Sequence, residues 1–339
     1  MRALLIVALV CGVAHADAAK PKPQKWAYSH KSMGTIVNVT IWTADEAGAA
    51  KGAKAVFDEI DRLDDLMTTW RDSEIFRINA NAGKKPVKVS DETILVIDRA
   101  LDVSAKSNGI FDITVQAFHG LWKFDEDMDG SLPDPAEVQK RLALVNWKDV
   151  IVDHRKKTIF LKKEGEAITL GGIAKGYAVD RGVAILKKQG QKSFIVQAGG
   201  DMFVAGDKDG DPWIVAIRDP RGPYDSSFAV APIKDHSFST SGDYERGFVK
   251  DGVRYHHILD PRDGQPARAS RSVTVMAKDA FTADAWSKVL FILGADGAMD
   301  LVEKMPDFDA AWVDAKNQVK ISSGLEDRLK ILRQPTDAP

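Results

Sequence analysis

Short predicted strands follow one another through the second half of the chain, and this succession limits the possible folds more than any other feature. From residue 149 onward, β-branched and aromatic residues form short runs that turns separate more often than helices do. Parallel neighbours would need a long crossover, usually a helix, between the strands of each pair. The sequence therefore predicts an α+β fold with mixed, largely antiparallel sheets and packed helices, and it disfavours a doubly wound parallel sheet. The predicted strands cover residues 150–152, 158–161, 167–170, 193–197, 213–218, 228–233, 255–259, 272–277, 310–314 and 318–321.

Helical patterns with recognisable start and stop signals accompany these strands. After a predicted strand over residues 35–42, apolar side chains recur at helical spacing as far as Met67. Ser90 is a good N-cap, and Asn108-Gly109 is a typical C-terminal signal for the helix that follows it. The predicted helices cover residues 44–67, residues 90–108, a segment from Asp134-Pro135 with Glu137 in a capping box, a segment after Gly171-Gly172 that ends at Gly190, residues 282–293 and residues 297–304.

The first residues have the pattern of a secretory signal peptide. Arg2 precedes an apolar run over residues 3–10, and small residues between 14 and 18 offer cleavage sites. The apolar run is too short to anchor the chain across a bilayer, and a buried N-terminal strand is the alternative interpretation. We therefore expect a signal peptide over residues 1–18, a flexible lead-in over 19–25 and one domain over 26–335. The expected location of the mature protein is the periplasm or cell envelope.

The single cysteine, Cys11, lies inside this predicted signal peptide. A lipoprotein cleavage site would need a small residue before the cysteine, and Val10 does not fit, so we do not expect a lipid anchor. The mature chain would then have no disulfide, no thiolate nucleophile and no cysteine-based metal site.

Charge and motif content exclude several classes of function. The chain has 47 Lys and Arg residues against 49 Asp and Glu residues, a net charge of -2, so nothing favours general nucleic-acid binding. It lacks the Gly-x-Ser-x-Gly and Gly-x-Gly-x-x-Gly motifs, which argues against a serine hydrolase and a dinucleotide-binding Rossmann domain. The histidines have no zinc-ligand spacing, and after residue 18 no segment has the roughly 18 consecutive apolar residues of a membrane helix.

A glycine-rich turn between a predicted strand and a predicted helix, residues 171–177 (GGIAKGY), suits an anionic ligand. Backbone N–H groups at such a turn, together with the charge of Lys175, can hold a phosphate. The turn lacks the spacing of a P-loop. A tight turn that only packs a helix on a sheet is the alternative interpretation.

Further polar segments are candidates for chemistry. In residues 256–262, His257 and Asp260 bring an imidazole and a carboxylate close together, as acid–base catalysis requires, although the same residues form a good turn sequence. Asp284, in the first turn of a predicted helix, suits the helix dipole or, with oxygen partners, a metal ion. Residues 198–201 (AGGD) are interpreted as a strand-end turn and residues 239–244 (STSGDY) as a polar turn.

Eight sequence blocks in a fixed order resemble the ApbE family, the FAD:protein FMN transferases. Each block is weak alone, but together they extend from Met33 to about Leu325 and include most of the segments above. The blocks are residues 32–35 (SMGT), 67–75 (MTTWRDSEI), 109–115 (GIFDITV), 171–180 (GGIAKGYAVD), 198–201 (AGGD), 240–244 (TSGDY), 257–262 (HILDPR) and 282–285 (TADA).

The resemblance implies an α+β fold that holds FAD in a cleft, with Mg²⁺ on the diphosphate of FAD. It also implies roles for individual residues, among which Trp70 suits the flavin because a planar aromatic can stack on the isoalloxazine ring. The implied positions are Met33, Trp70, Ile110, Phe111 and Asp112 at the flavin, Thr169, Lys175 and Ile258 at the dinucleotide, Gly172, Asp284 and Lys288 at the metal, and His257 and Asp260 beside the reacting phosphate.

Two residues depart from the family pattern. Thr169 stands where the family usually has an acidic residue, and Lys288 stands where it usually has a small oxygen-bearing residue that helps to bind the metal. An ammonium group cannot ligate Mg²⁺ and repels it. Ser287, three residues after Asp284, lies on a similar helix face and can supply the missing oxygen.

The implied activity is transfer of FMN from FAD to a Thr or Ser hydroxyl of a partner flavoprotein, with release of AMP. The acceptor would be a membrane redox subunit or a periplasmic protein. Two alternatives stay open from the sequence. Attack by water at the same site would make the protein an FAD pyrophosphatase that gives FMN and AMP. The other alternative is a flavin-binding protein with weak or no catalysis, in which Lys288 replaces the charge of the metal.

Overall fold

The chain forms an α+β structure, as the sequence predicts. The computed structural model describes residues 22–124 and 127–338. Its α-helices are α1 Glu46–Met67, α2 Glu74–Ala80, α3 Asp91–Lys106, α4 Pro135–Leu142, α5 Ala174–Lys188 and α6 Ala280–Val302, and its 3-10 helices are Ile113–Phe118, Trp147–Asp149 and Ser323–Leu325. Its strands are β1 Gln24–Ser32, β2 Thr35–Thr43, β3 Val87–Lys88, β4 Val150–Asp153, β5 Thr158–Leu161, β6 Phe194–Ala198, β7 Asp201–Ala205, β8 Trp213–Arg218, β9 Ser227–Ile233, β10 His236–Gly242, β11 Gly247–Lys250, β12 Val253–His256, β13 Ser270–Ala277, β14 Asp309–Asp314, β15 Val319–Ile321 and β16 Lys330–Ile331.

An eight-stranded sheet organises the molecule. Its strand order is β1-β2-β6-β7-β10-β13-β14-β15, and all of its neighbouring strands run antiparallel. Smaller sheets have the orders β16-β9-β8, β3-β5-β4 and β11-β12. Antiparallel neighbours need only short connections, which is why strands could follow one another in the sequence without intervening helices.

The two faces of the large sheet bury different cores. On β13, Val273 and Val275 belong to the core that contains α1, α5 and α6, whereas Met276 belongs to a second core with β8 and β9. On β14, Trp312 faces the first core and Val313 the second. This alternation is the period of two expected for a sheet that is covered on both sides.

Helices α5 and α6 approach each other closely at Gly176. A Cβ atom at this position would lie 2.1 Å from the carbonyl oxygen of Ala280 and 2.7 Å from the Cβ of Asp284. The N–H of Gly176 also donates to Oδ2 of Asp284 over 2.8 Å. The absence of a side chain at 176 therefore lets a carboxylate of α6 cap the first turn of α5.

This contact gives a direct prediction for Gly176→Ala. We expect the substitution to lower the free energy of unfolding by about 1–3 kcal/mol, because the added methyl group must push two helix backbones apart. Chemical denaturation followed by circular dichroism measures the change. Gly297→Ala is the matched control, since a Cβ there would only reach ordinary contact with Leu293, 3.5 Å away. Equal stability of Gly176→Ala and wild type would contradict the close approach of the helices.

Two predicted strands differ from the structure. Residues 167–170 were expected to form a strand, but this prediction is wrong because a side chain takes the place of a sheet partner. Asn79 accepts from the N–H of Ile168 over 2.8 Å and donates to its carbonyl over 2.9 Å. The strand expected over 255–259 ends at His256, and the next residue already leaves the hairpin.

Several strands were missed because their sequences are short or polar. Residues 239–244 were predicted to form a turn, yet residues 236–242 form β10, a central strand of the large sheet. The interpretation of 198–201 as a strand-end turn is confirmed, because Gly199 and Gly200 join β6 to β7. Strands β1, β3, β7, β11 and β16 were also not predicted.

The structure describes only part of the N-terminal region for which the sequence makes predictions. The predicted signal peptide over residues 1–18, including Cys11, lies outside the described residues. Strand β1 starts at Gln24, two residues before the predicted start of the domain at 26. Within residues 22–124 and 127–338, no helix combines the length and the apolar character that a membrane span requires.

Candidate active site

A cleft of about 660 Å³ opens where several connections of the large sheet meet the N-terminus of α5. Its walls come from the β1–β2 turn, the loop after α1, the segment before the Ile113–Phe118 3-10 helix, the β6–β7 turn, the end of β10 and the loop after β12. Most of the residues that the sequence singled out line it. These are Met33, Trp70, Ile110, Phe111, Asp112, Thr169, Gly172, Lys175, His257, Ile258 and Lys288.

The positions that the resemblance assigns to the flavin form the apolar part of the cleft. Trp70 lies in the loop between α1 and α2 with 68% of its surface exposed, and its ring contacts that of His119 edge-on, with centroids 5.2 Å apart. Ile110 and Phe111 are buried beneath the cleft wall. Met33 occupies the two-residue β1–β2 turn with a φ of 49°, a conformation that a turn of this kind requires. An exposed indole above a buried apolar floor is suited to a planar ring system.

Asp112 supports this wall from below. Its carboxylate accepts hydrogen bonds from the N–H and hydroxyl of Thr114, over 2.8 and 2.6 Å, and from the N–H of Trp147 over 2.9 Å. Burial raises the pKa of Asp112 despite these bonds. The carboxylate therefore orders the segment that carries Ile110 and Phe111.

The glycine-rich turn leads into α5 beside this wall. Thr169 accepts from the N–H of Gly171 over 3.1 Å, and the N-cap residue of α5 itself forms no side-chain capping bond. A Cβ atom at Gly172 would lie 3.2 Å from the ring of Phe111 and 4.0 Å from Cγ of Lys288. The turn therefore brings the N-terminus of α5 close to both the apolar wall and Lys288.

Lys175 connects the turn to a buried carboxylate on β7. Its ammonium group donates to Asp201, whose side chain is 2% exposed and also accepts from the hydroxyl of Ser239. The ammonium lies 3.7 Å from Oδ1 of Asp284. Lys175 therefore lies between two buried carboxylates.

Asp284 and Lys288 complete the charged floor from α6. Asp284 is fully buried, and its Oδ1 accepts from the ammonium group of Lys288, whose side chain is 18% exposed. The Lys288 ammonium also lies 3.3 Å from the hydroxyl of Ser287. That hydroxyl donates to the Asp284 carbonyl over 2.7 Å and lies 2.8 Å from the hydroxyl of Ser241.

The pKa shifts reflect this arrangement of charges. Burial disfavours the charged form of Lys175, but Asp201 and Asp284 outweigh it and raise the pKa of the ammonium. Burial would raise the pKa of Asp201, but Lys175 and Lys288 outweigh it and lower the pKa. Burial and the charge of Asp201 raise the pKa of Asp284, and the two lysines oppose that rise.

His257 faces the cleft just after β12. Its Nδ1 lies 3.4 Å from the carbonyl oxygen of Arg246, which can only accept, so Nδ1 carries the proton and Nε2 has a free lone pair. The residue is exposed to the cleft. Partial desolvation by the neighbouring protein, His256 and the positive charge of Arg246 lower the pKa of His257, so the ring is neutral near pH 7.

The neighbouring His256 has a structural position. Its Nε2 donates to the carbonyl of Ala267 over 2.8 Å, and its Nδ1 accepts from the N–H of Ile258 over 3.3 Å. Burial lowers its pKa to about 4. Both nitrogens are thus used in holding the loop that presents His257.

Asp260 does not line the cleft. Its carboxylate pairs with the guanidinium of Arg262, with 2.9 Å to Nε, and also accepts from the backbone N–H of Arg262 over 3.0 Å. The Asp260 N–H donates to the carbonyl of Gln265 over 2.8 Å. These bonds stabilise the turn after His257, and the predicted contact of Asp260 with the reacting phosphate stays a prediction.

Comparison with known proteins identifies the family. The sequence profile described as the ApbE family matches residues 33–312. The chain belongs to the ApbE family. An FAD:protein FMN transferase of Treponema pallidum (strain Nichols) is 31% identical over 345 residues, which cover 97% of this chain and 95% of the relative. One from Klebsiella pneumoniae (strain 342) is 33% identical over 300 residues, which cover 88% and 92%.

Solved structures show the same fold. The ApbE protein of Thermotoga maritima has a TM-score of 0.82 and 32% identity, and the match covers 90% of this chain and 99% of that one. The flavin transferase ApbE of Vibrio cholerae has a TM-score of 0.79 and 27% identity, with the same coverage. The predicted α+β architecture is therefore the ApbE fold.

The three positions that the ApbE resemblance assigns to a metal converge in the structure, but their chemistry does not fit a divalent cation. Gly172 and Asp284 are oxygen donors, whereas Lys288 places an ammonium group directly on the Asp284 carboxylate. The hydroxyl of Ser287, which the sequence offered as a substitute ligand, is engaged with the same ammonium. Among the described residues, no group of three or more His, Cys, Asp or Glu side chains is placed to hold a metal.

Sequence reasoning missed several residues of the ApbE cleft. Asp201 was quoted within a motif without a role, although it is the partner of Lys175. Ser241 and Arg246 line the cleft as well, and Ser239 supports Asp201 from β10. The single lysine of the glycine turn was a usable signal, because a lysine buried in such a site needs a carboxylate.

Proposed function

We propose that the protein is an FAD:protein FMN transferase that moves FMN from FAD to a Thr or Ser hydroxyl of an acceptor flavoprotein. Membership of the ApbE family and the names of the relatives support this function. One observation carries it on the structural side. A neutral imidazole with a free Nε2, two lysines and the N-terminus of α5 surround the same cleft, next to an apolar wall with an exposed Trp70.

In the proposed reaction, the isoalloxazine ring lies against the apolar wall and the diphosphate lies over the glycine turn. The acceptor hydroxyl attacks the phosphorus of the FMN half, and a new phosphoester bond forms. The bond from this phosphorus to the bridging oxygen breaks, and AMP leaves with that oxygen. Nε2 of His257 takes the hydroxyl proton as general base. Lys175, Lys288 and the N-terminus of α5 stabilise the negative charge on the phosphates.

Magnesium is the metal that the ApbE resemblance implies, and it would neutralise the diphosphate from Gly172 and Asp284. In this chain, two ammonium groups already contact or approach the same carboxylate. The reaction above therefore uses the charges of the protein itself.

The acceptor and the location of the protein are further parts of the proposal. The sequence of residues 1–18 supports export, and a membrane redox subunit or a periplasmic flavoprotein would then be the acceptor. A signal-peptide cleavage assay on the expressed full chain tests the location.

Incubation of the protein with FAD and a candidate acceptor tests the activity. We expect the acceptor mass to rise by that of one FMN phosphoester, with one AMP released per modified acceptor. Substitution of the acceptor hydroxyl residue by Ala is the control and should abolish the mass change. Release of equal amounts of free FMN and AMP would show a pyrophosphatase instead. FAD binding without either product would show a flavin-binding protein without catalysis.

A further inference from the structure

The side chain at position 288 occupies the floor of the cleft at the point where the three metal-associated positions meet. Lys288 follows Asp284 by one helical turn and donates to its Oδ1. On the other side, its Cγ lies 4.0 Å from where a Cβ of Gly172 would be. It lines the cleft with 18% of its side chain exposed, so the side chain is reachable from the ligand side.

The charges at this floor balance without any added ion. Asp201 and Asp284 contribute two negative charges, and Lys175 and Lys288 contribute two positive charges, all within one connected set of ion pairs. With a neutral residue at 288, the same floor would carry an excess negative charge. A divalent cation is attracted to an excess of negative oxygen ligands, not to a balanced set that already contains two ammonium groups.

The oxygen atoms that a divalent ion would need are also engaged. Oδ2 of Asp284 accepts from the N–H of Gly176 over 2.8 Å, and its Oδ1 accepts from Lys288. The hydroxyl of Ser287 donates to the Asp284 carbonyl, and its oxygen lies 3.3 Å from the ammonium nitrogen of Lys288. A divalent ion would have to displace the Lys288 ammonium to reach Asp284.

We propose that the Lys288 ammonium is the resident cation of this site and contacts the FAD diphosphate in place of a divalent metal, so that FAD binding does not depend on Mg²⁺. This inference rests on the proposed function, because it takes FAD as the substrate. Lys288 makes and breaks no bond in the transfer. It balances the charge of the diphosphate while the acceptor oxygen bonds to phosphorus, the proton passes to His257 and AMP departs.

A titration of FAD binding, followed by flavin fluorescence with EDTA or with excess MgCl₂, tests the proposal without using turnover. We expect the dissociation constant of the wild type to agree within about twofold in the two buffers. For Lys288→Thr we expect FAD affinity at least about tenfold weaker in EDTA, or ~1.4 kcal/mol, with recovery in Mg²⁺. Lys288→Met, which offers neither charge nor ligand, should remain weak in both buffers.

The control is Lys106→Thr, which removes another Lys–Asp pair of the same i,i+4 spacing. Lys106 pairs with Asp102 over 2.7 Å on α3 and is exposed. We expect its FAD affinity to equal that of the wild type in both buffers. Spin-resonance titration with Mn²⁺ in the presence of FAD is the second readout, and it should detect one bound ion in Lys288→Thr and none in the wild type.

The outcomes separate this inference from the proposed function. If EDTA weakens FAD binding by the wild type as much as by Lys288→Thr, or if the wild type binds Mn²⁺ with FAD, the role of Lys288 is wrong and the proposed function stands. If the wild type binds FAD in neither buffer, both are wrong. The two wild-type measurements decide the matter even if a variant fails to fold.

Discussion

Replacement of His257 by Ala is expected to lower kcat for FMN transfer by about 10²- to 10⁴-fold, the usual contribution of a general base. The free Nε2 of His257 faces the cleft while its Nδ1 lies against the Arg246 carbonyl. FAD affinity should change little, because the imidazole acts on the acceptor hydroxyl and not on the flavin. Single-turnover transfer from FAD to the acceptor, with FAD binding measured separately, checks both expectations.

The matched control for this variant is His236→Ala. His236 makes the same type of contact, with Nδ1 3.0 Å from the Lys234 carbonyl, but lies on the surface outside the cleft. Its removal should leave transfer unchanged. The pKa of His257 is lowered from its usual value, so the wild-type rate should hold as the pH falls through 6.5 and decline only at lower pH. Transfer by His257→Ala within about tenfold of the wild type would exclude His257 as the base.

Replacement of Asp284 by Asn is expected to remove activity and to lower the free energy of unfolding by about 3–5 kcal/mol, because it breaks a buried ion pair by removing one partner. Asn keeps the shape of the side chain and can still accept from Gly176. It leaves the ammonium groups of Lys175 and Lys288 with Asp201 as the remaining carboxylate of the cluster. Denaturation curves and transfer assays on the same preparation measure the two effects.

The double variant Asp284→Asn/Lys288→Met tests whether the lost charge is the cause. Removal of both members of the pair should restore part of the stability without restoring activity, since an uncompensated buried charge no longer remains. If Asp284→Asn unfolds at the same denaturant concentration as the wild type, Lys288 finds solvent at no cost in the free energy of unfolding. The ion pairs of the cleft floor then do not stabilise the fold.

The longer helices and the sheet-forming segments with strong apolar patterns could be predicted from the sequence, whereas the short helix α2 was not predicted. The predicted helix over 44–67 is α1, and the helix predicted from Ser90 is α3, because N-caps and apolar spacing act locally. Strand β10 could not be predicted in this way. Ser239 and Ser241 are buried because they face Asp201 and Ser287, and that environment is created by other elements. A polar strand of this kind resembles a turn until its partners are known.

The same limit applies to the site. Most of the residues that the resemblance assigned to the site line one cleft, including Trp70 in an exposed loop. The sequence could also show that Lys288 is unusual, but not where its ammonium group lies. An Asp–Lys pair at i,i+4 is most simply a weak exposed pair. In the structure Asp284 is fully buried, and the pair forms part of the cleft floor.

The hydrogen bond from Gly176 to Asp284 has a consequence for how such a site can change in evolution. One carboxylate joins α5 to α6 and also carries the charge of the site, so a mutation at 284 alters folding and chemistry together. Position 288 touches the same carboxylate only from the cleft side, where water or an ion can replace what is lost. Residue 288 can therefore change between a lysine, which supplies the positive charge itself, and a residue that leaves this role to a bound metal ion. Asp284 is retained meanwhile, because it holds α5 and α6 together.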